Sequence, residues 1–168
     1  MKRLLYLALF LFLTYSIYLG TYSVLHGELN FFNDVARDFL LLSEMDQKKI
    51  VLIGPRTNTS GLFHGPLWTY INYPAYILGH GDPVVVAWFW IFLEVVVLFA
   101  SYLMVKKMLG TLPAFAFVLL FSIRLVGHVN GIFHSEATIF FVPFFLFTIT
   151  MYIEQKKILF LALHILAS

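Results

Sequence analysis

The 168-residue chain is 61% hydrophobic and 12% charged, with a mean hydropathy of +0.88, against roughly 45–50% apolar and about 25% charged for soluble domains, which argues against a water-soluble globule. Its formal charge is only +2, and the basic residues gather at the ends of apolar runs rather than in a patch able to follow a phosphate backbone, which makes nucleic acid a poor partner. The chain has no cysteine, so it has no disulfide framework, thiolate metal site or thiol nucleophile.

The elements expected in chain order are those of an all-α integral membrane protein, a multi-pass helical bundle with one large outer-face loop carrying amphipathic helices. Leu4 to Leu25 contains no charge, and at about 1.5 Å per residue this run crosses a hydrocarbon layer roughly 30 Å thick. Lys2 and Arg3 precede it, but no Ala-x-Ala-like cleavage site precedes His26, so it reads as an uncleaved anchor. Residues 26–83 carry ten charges and four of the six prolines and form a polar loop. A second span is expected over 84–105, broken only by Glu94, and Lys106, Lys107 and Gly110 make the following turn. Further spans are expected over 111–127, where Pro113 falls in the first turn, and over 137–153, which contains Pro143. A partial fifth covers 158–168, too short to cross a bilayer, so a longer parent protein is expected and the fragment alone is expected to be inactive.

Lys2/Arg3, Lys106/Lys107 and Lys156/Lys157 recur at every second crossing, which by the positive-inside rule puts the N-terminus in the cytoplasm of a plasma-membrane protein. The 26–83 loop and the segment from Arg124 to Glu136 then share the outer face.

Within the loop, apolar residues at 32, 35, 36, 39, 42 and 45 follow the i, i+3, i+4, i+7 rule of an amphipathic helix. Asp34, Arg37 and Asp38 are expected to project together from its polar side. By spacing alone this trio is a solvated face with a local ion pair. Further on, Leu52-Ile53-Gly54-Pro55-Arg56-Thr57 and Gly61-Leu62-Phe63-His64-Gly65-Pro66-Leu67-Trp68 set Gly-Pro turns beside an arginine and a histidine. Each taken singly is ordinary loop scaffolding. Asn58-Thr59-Ser60 fits the short N-glycosylation acceptor pattern. There is no internal repeat.

The succession of these motifs, an anchor, an Asp-x-Ala-Arg-Asp helix, Gly-Pro-Arg-Thr, Phe-His-Gly-Pro-Leu-Trp, Leu78-Gly79-x-x-Asp82-Pro83 and then further spans, resembles the bacterial protein O-mannosyltransferase and aminoarabinose-transferase-like families of the GT-C superfamily over essentially the whole chain. The resemblance implies a polyprenyl-phosphate-linked sugar as donor substrate and an aspartate of the first outer loop, here Asp34, as catalytic residue. Gly65-Pro66-Leu67 matches the family's Pro-Pro-Leu-Tyr region with glycine in place of the first proline, and Glu136 matches the acidic residue of its second outer segment. The sequence departs from the family at the start of the second span, where Val84 to Trp88 are uncharged and an arginine is commonly found.

Transfer of a sugar from a lipid phosphate needs a base for the acceptor hydroxyl and cations for the departing phosphate. Phosphate leaves as a stable anion, so one carboxylate suffices where glycosidases use two. In this reading Asp34 is the base. Arg56, Arg124 and Arg37, with Lys48 and Lys49 as alternatives, hold phosphate, while Asp38, His64 and Glu136 position sugar or acceptor. The irregular spacing of His64, His128 and His134 is no metal signature; no cofactor is assigned, and a divalent metal is left open. Membrane lipid, the donor and an acceptor glycan, lipid or protein are the implied partners. The competing reading is a transporter or lipid-handling permease using Glu94, Arg124 and Glu136 as a substrate or proton path.

Overall fold

A computed structural model describes residues 2–57, 59–125 and 138–167. Asn58, His128, His134, Glu136 and the side chain of Arg124 lie outside the described residues. Seven helices follow one another: α1 (Lys2–Leu25), α2 (Asn33–Lys48), α3 (Leu67–Leu78), α4 (Pro83–Leu109), α5 (Thr111–Leu125), α6 (Thr138–Gln155) and α7 (Ile158–Ala167). Three runs, Leu4–Leu25, Pro83–Leu109 and Thr138–Gln155, are long and apolar enough to cross a membrane, and α5 is a shorter apolar helix.

Local chemistry sets the helix ends. The Asp82 carboxylate accepts a hydrogen bond from the Val84 N–H at 2.8 Å, and Pro83 occupies the first turn of α4, where its missing N–H costs nothing. At the other end of α4, Gly110 takes φ +91°, a conformation that glycine adopts without strain, and the chain reverses into α5. α2 ends where Lys49 adopts φ +65° and its N–H bonds to the Met45 carbonyl. α4 thus extends past the expected 84–105 at both ends. α3 is a further helix within the polar loop, and it contains Pro74.

Two apolar clusters hold the helices together. In one, Val24 of α1, Val35, Phe39 and Leu42 of α2, Trp68 of α3 and Val86 and Trp90 of α4 pack as one core. In the other, Leu98 of α4 and Val118 of α5 pack with Leu13 and Ile17 of α1. The α2–α3 unit therefore sits against the C-terminal end of α1 and the N-terminal end of α4, while α1, α4 and α5 pack along their lengths. α6 joins at Trp90, whose ring centroid is 5.2 Å from that of Phe140, and α7 packs on α6, with His164 Nδ1 3.3 Å from the Phe145 carbonyl oxygen.

Candidate functional site

The candidate residues begin at the head of α2. Asp34 stands in the first turn, where a negative charge is favoured by the helix dipole, and its carboxylate is 3.2 Å from the Arg37 guanidinium. Both side chains are more than a third exposed, so this pair contributes little to stability and leaves the carboxylate open to solvent. Arg37 Nε, in contrast, is buried without a hydrogen-bond partner.

Asp38 corrects the expectation that all three charges share the polar side: it is fully buried, together with Val35, Phe39, Leu42 and Met45. The reason is helical geometry. Position 38 lies three residues after Val35 and four before Leu42, inside the apolar stripe, which is wide enough to take in the i+3 position.

The two Gly-Pro segments pair with each other. The Gly54 N–H donates to the His64 carbonyl at 3.1 Å, the His64 N–H to the Pro55 carbonyl at 2.8 Å and the Thr57 N–H to the Leu62 carbonyl at 3.1 Å, with an isolated antiparallel bridge between Arg56 and Phe63. Close approach requires glycine here, since a Cβ on Gly54 would meet the Gly65 carbonyl oxygen. The Tyr70 hydroxyl fastens the hairpin to α3 by bonding the N–H and carbonyl of Val51. Two sequence-predicted residues, Arg56 and His64, are thereby held in one hairpin. Arg56 is exposed and makes no ion pair among the described residues.

His64 and Pro55 also line a cavity of about 650 Å³ between α3, α4 and α6. It follows α4 from Trp90 to Met104, a run of about 21 Å at 1.5 Å per residue, and its other walls include Trp68, Ile71 and Phe144. Such an elongated, chiefly apolar space fits a hydrocarbon chain better than a sugar. Besides His64 and Thr138, the polar groups on its wall include Trp68 Nε1 and Ser101 Oγ, both buried without a hydrogen-bond partner, and Asn72, whose Oδ1 accepts from Trp90 Nε1 at 2.7 Å. Sequence reading missed this wall because continuous apolarity along α4 does not say which side is hollow. The polar outliers Asn72 and Ser101 were the available signal.

Glu94 lies elsewhere on α4, 1% exposed, and neither carboxylate oxygen has a hydrogen-bond partner. α5 reaches Leu125 after 15 residues against 27 in α4. Around the turn at Gly110 the backbone of Arg124 therefore comes level with Glu94, about 16 Å along α4 from Pro83. Asp34 and Arg37 come together, as do Arg56 and His64, and no ion pair joins the two sets. Among the described residues no group of three or more His, Asp or Glu could hold a metal ion. Compared with protein-family models, curated proteins and solved structures, the chain matches none.

Proposed function

We propose that this chain belongs to an integral membrane glycosyltransferase that moves a sugar from a polyprenyl-phosphate donor to an acceptor on the outer membrane face. The reading rests most on the presence in one chain of an open Asp34 at the head of α2 and a long apolar cavity lined by His64, whose neighbour Phe63 is bridged to Arg56. A lipid-linked sugar is a substrate of these two characters, a reactive polar head on a hydrocarbon tail. In the proposed step the acceptor oxygen bonds to the anomeric carbon as Asp34 takes its proton. The bond from that carbon to the phosphate oxygen breaks, and the electron pair leaves with the lipid phosphate. Arg56 is the available cation for that phosphate, with Arg37 relieved of Asp34 as a second and Arg124 as a third. His64 and Glu136 position the sugar or the acceptor, a role that the fully buried Asp38 does not share. The bilayer, the donor and the acceptor are the partners, and the plasma membrane is the site of action.

Membranes containing the full-length protein are expected to transfer labelled sugar from a polyprenyl-phosphate donor, and Asp34→Asn is expected to lower the rate by about 10²–10⁴-fold, the usual contribution of a general base, while still inserting. Normal transfer by Asp34→Asn removes Asp34 from the mechanism.

Glu94 favours a second reading. An unpartnered carboxyl buried on a long apolar helix is the kind of group that carries protons or cations in a transporter. In that case Glu94→Gln abolishes solute or lipid movement and Asp34→Asn does not.

A further inference from the structure

The hairpin that carries Arg56 and His64 has an unusual surface. Ile50, Leu52, Ile53, Leu62 and Phe63 are all exposed, Leu52 to 82%. The nearby cations Lys48 and Lys49 are neutralised by Glu44 and Asp46 at 2.7 and 3.1 Å, whereas Arg56 makes no ion pair among the described residues. The hairpin also pairs part of its own backbone, through the Gly54–His64, Pro55–His64 and Thr57–Leu62 hydrogen bonds and the Tyr70 hydroxyl on Val51. That is what a segment must do before it can leave water.

Its depth follows from the register of α3 on α4. The two helices are joined by the turn at Gly79–Asp82, where the Cβ of Val85 would lie 2.6 Å from a Cβ on Gly79, and the Asn72–Trp90 hydrogen bond fixes their antiparallel alignment. Leu67, five residues before Asn72, then lies about 8 Å farther along α4, level with Val95. Independently, Pro55, His64 and Gly65 line the same cavity as Leu93 and Val97.

With Lys106 and Lys107 at one boundary, about 20 residues at 1.5 Å each place the other plane of a 30 Å hydrocarbon layer near Ala87. Trp88, which is exposed, is then an interfacial aromatic. Leu67, where the hairpin joins α3, then lies about 12 Å on the bilayer side of that plane, so the hairpin leads into α3 from within that leaflet.

We propose that residues 50–65 form a membrane wedge: the five apolar side chains enter the headgroup–acyl boundary of the leaflet at the Pro83 end of α4, and Arg56 pairs with lipid phosphate. The wedge rests on the reading that α4 crosses the bilayer. It gives that leaflet's lipids a direct contact with the loop end of the cavity.

These 168 residues contain no cysteine, so single cysteines placed in them can carry a polarity-sensitive fluorophore in the full-length protein, any cysteine elsewhere being replaced by serine, reconstituted in phosphatidylcholine vesicles with or without nitroxide-labelled phosphatidylcholine. Probes at Leu52→Cys and Leu62→Cys are expected to be quenched by the nitroxide lipid about twofold or more above a probe at His80→Cys in the α3–α4 turn, as interfacial burial requires. Phe99→Cys, exposed on α4, is the reference for lipid contact. Quenching at Leu52 and Leu62 no greater than at His80, with Phe99 quenched, overturns the wedge and leaves the spanning helix standing. Blue-shifted but unquenched hairpin probes also overturn it, because protein rather than lipid then covers these side chains. An unquenched Phe99 probe overturns the wedge and the spanning reading together.

Discussion

α2 and α4 both bury apolar side chains, Val86, Ala87, Trp90, Ile91 and Leu98 among them on α4, but they expose different kinds of residue. On α2 the covered side chains are Val35, Phe39, Leu42 and Met45, and the charged Glu44, Asp46 and Lys48 form ion pairs on the outside; Asp38 is the exception. On α4 the fully covered side chains include Glu94 and Ser101, while Phe92, Phe99 and Leu103 are exposed. α1 and α6 repeat the second pattern, with Ser16, Thr21 and Thr148 buried while Phe10, Leu11 and Leu146 face outward. Sorting by polarity is what water imposes on a helix. Covering small and polar residues while presenting large apolar ones is what a hydrocarbon surrounding imposes. One chain thus carries two burial codes, a watery one on α2 and an inverted one on the long apolar helices, and α3 sides with the second, burying Thr69 and Asn72 while Leu67 and Leu78 are exposed.

Substitutions that exchange the two codes test this contrast. Leu42 is fully covered, so Leu42→Ala is expected to lower stability by about 2–5 kcal/mol, read as a fall in the thermal midpoint of the detergent-solubilised protein. A midpoint unchanged by this substitution breaks the account of the α2–α3 unit. On the exposed face of α4, Phe99→Asp is expected to cost about 2.5–3.5 kcal/mol of membrane insertion, whereas Leu40→Asp on the exposed face of α2 changes stability by about 0.5 kcal/mol or less. Equal effects in an insertion assay would mean that both faces meet the same medium. Asn72→Ala leaves the buried Trp90 Nε1 without its acceptor and is expected to cost about 1–3 kcal/mol; Asn72→Ala in a Trp90→Phe background is expected to cost less, since the donor is already gone.

The smallest effect lies in the Asp46–Lys49–Tyr73 surface group. Hydrogen bonds from Lys49 and Tyr73 hold the Asp46 carboxyl below its ordinary 3.8, and the hydrogen bond to Asp46 holds Lys49 above its ordinary 10.5. A depressed carboxylate contributes stability above its unfolded value and loses it as pH falls through the lower folded one. A raised amine contributes below 10.5 and loses it as pH climbs through the higher folded value. The thermal midpoint of Asp46→Asn is therefore expected to lie slightly below wild type at neutral pH and to converge with it below pH 3.8. A constant gap down to strong acid would show that the carboxylate charge is not the cause.

Sequence reading was strongest where a single physical requirement acts. Length and apolarity located α1, α4, α5 and α6, and helical periodicity located α2. It was weaker where two requirements overlap. Asp38 was placed outside because its charge was weighed before its position in the Val35–Leu42 stripe. α3 has no charged residue to mark a polar face and carries Pro74 inside it, which a helix interior ordinarily disfavours, so the sequence does not announce it. The Gly-Pro turns marked the hairpin, but its pairing joins residues ten apart, Gly54 to His64, and no local pattern specifies that. The cavity along α4 was invisible for the reason the inverted code makes plain: on an apolar helix only outliers such as Glu94, Ser101 and the Asn72 that meets Trp90 mark the inner side.

The proposed division of labour, chemistry in the loop and anchorage in the long helices, is tested most directly by assaying sugar transfer from a polyprenyl-phosphate donor in membranes bearing Asp34→Asn or Glu94→Gln at equal protein level. The account predicts that Asp34→Asn loses transfer about 10²-fold or more and that Glu94→Gln retains it. Loss with Glu94→Gln and retention with Asp34→Asn would contradict it and move the chemistry into the buried end of α4.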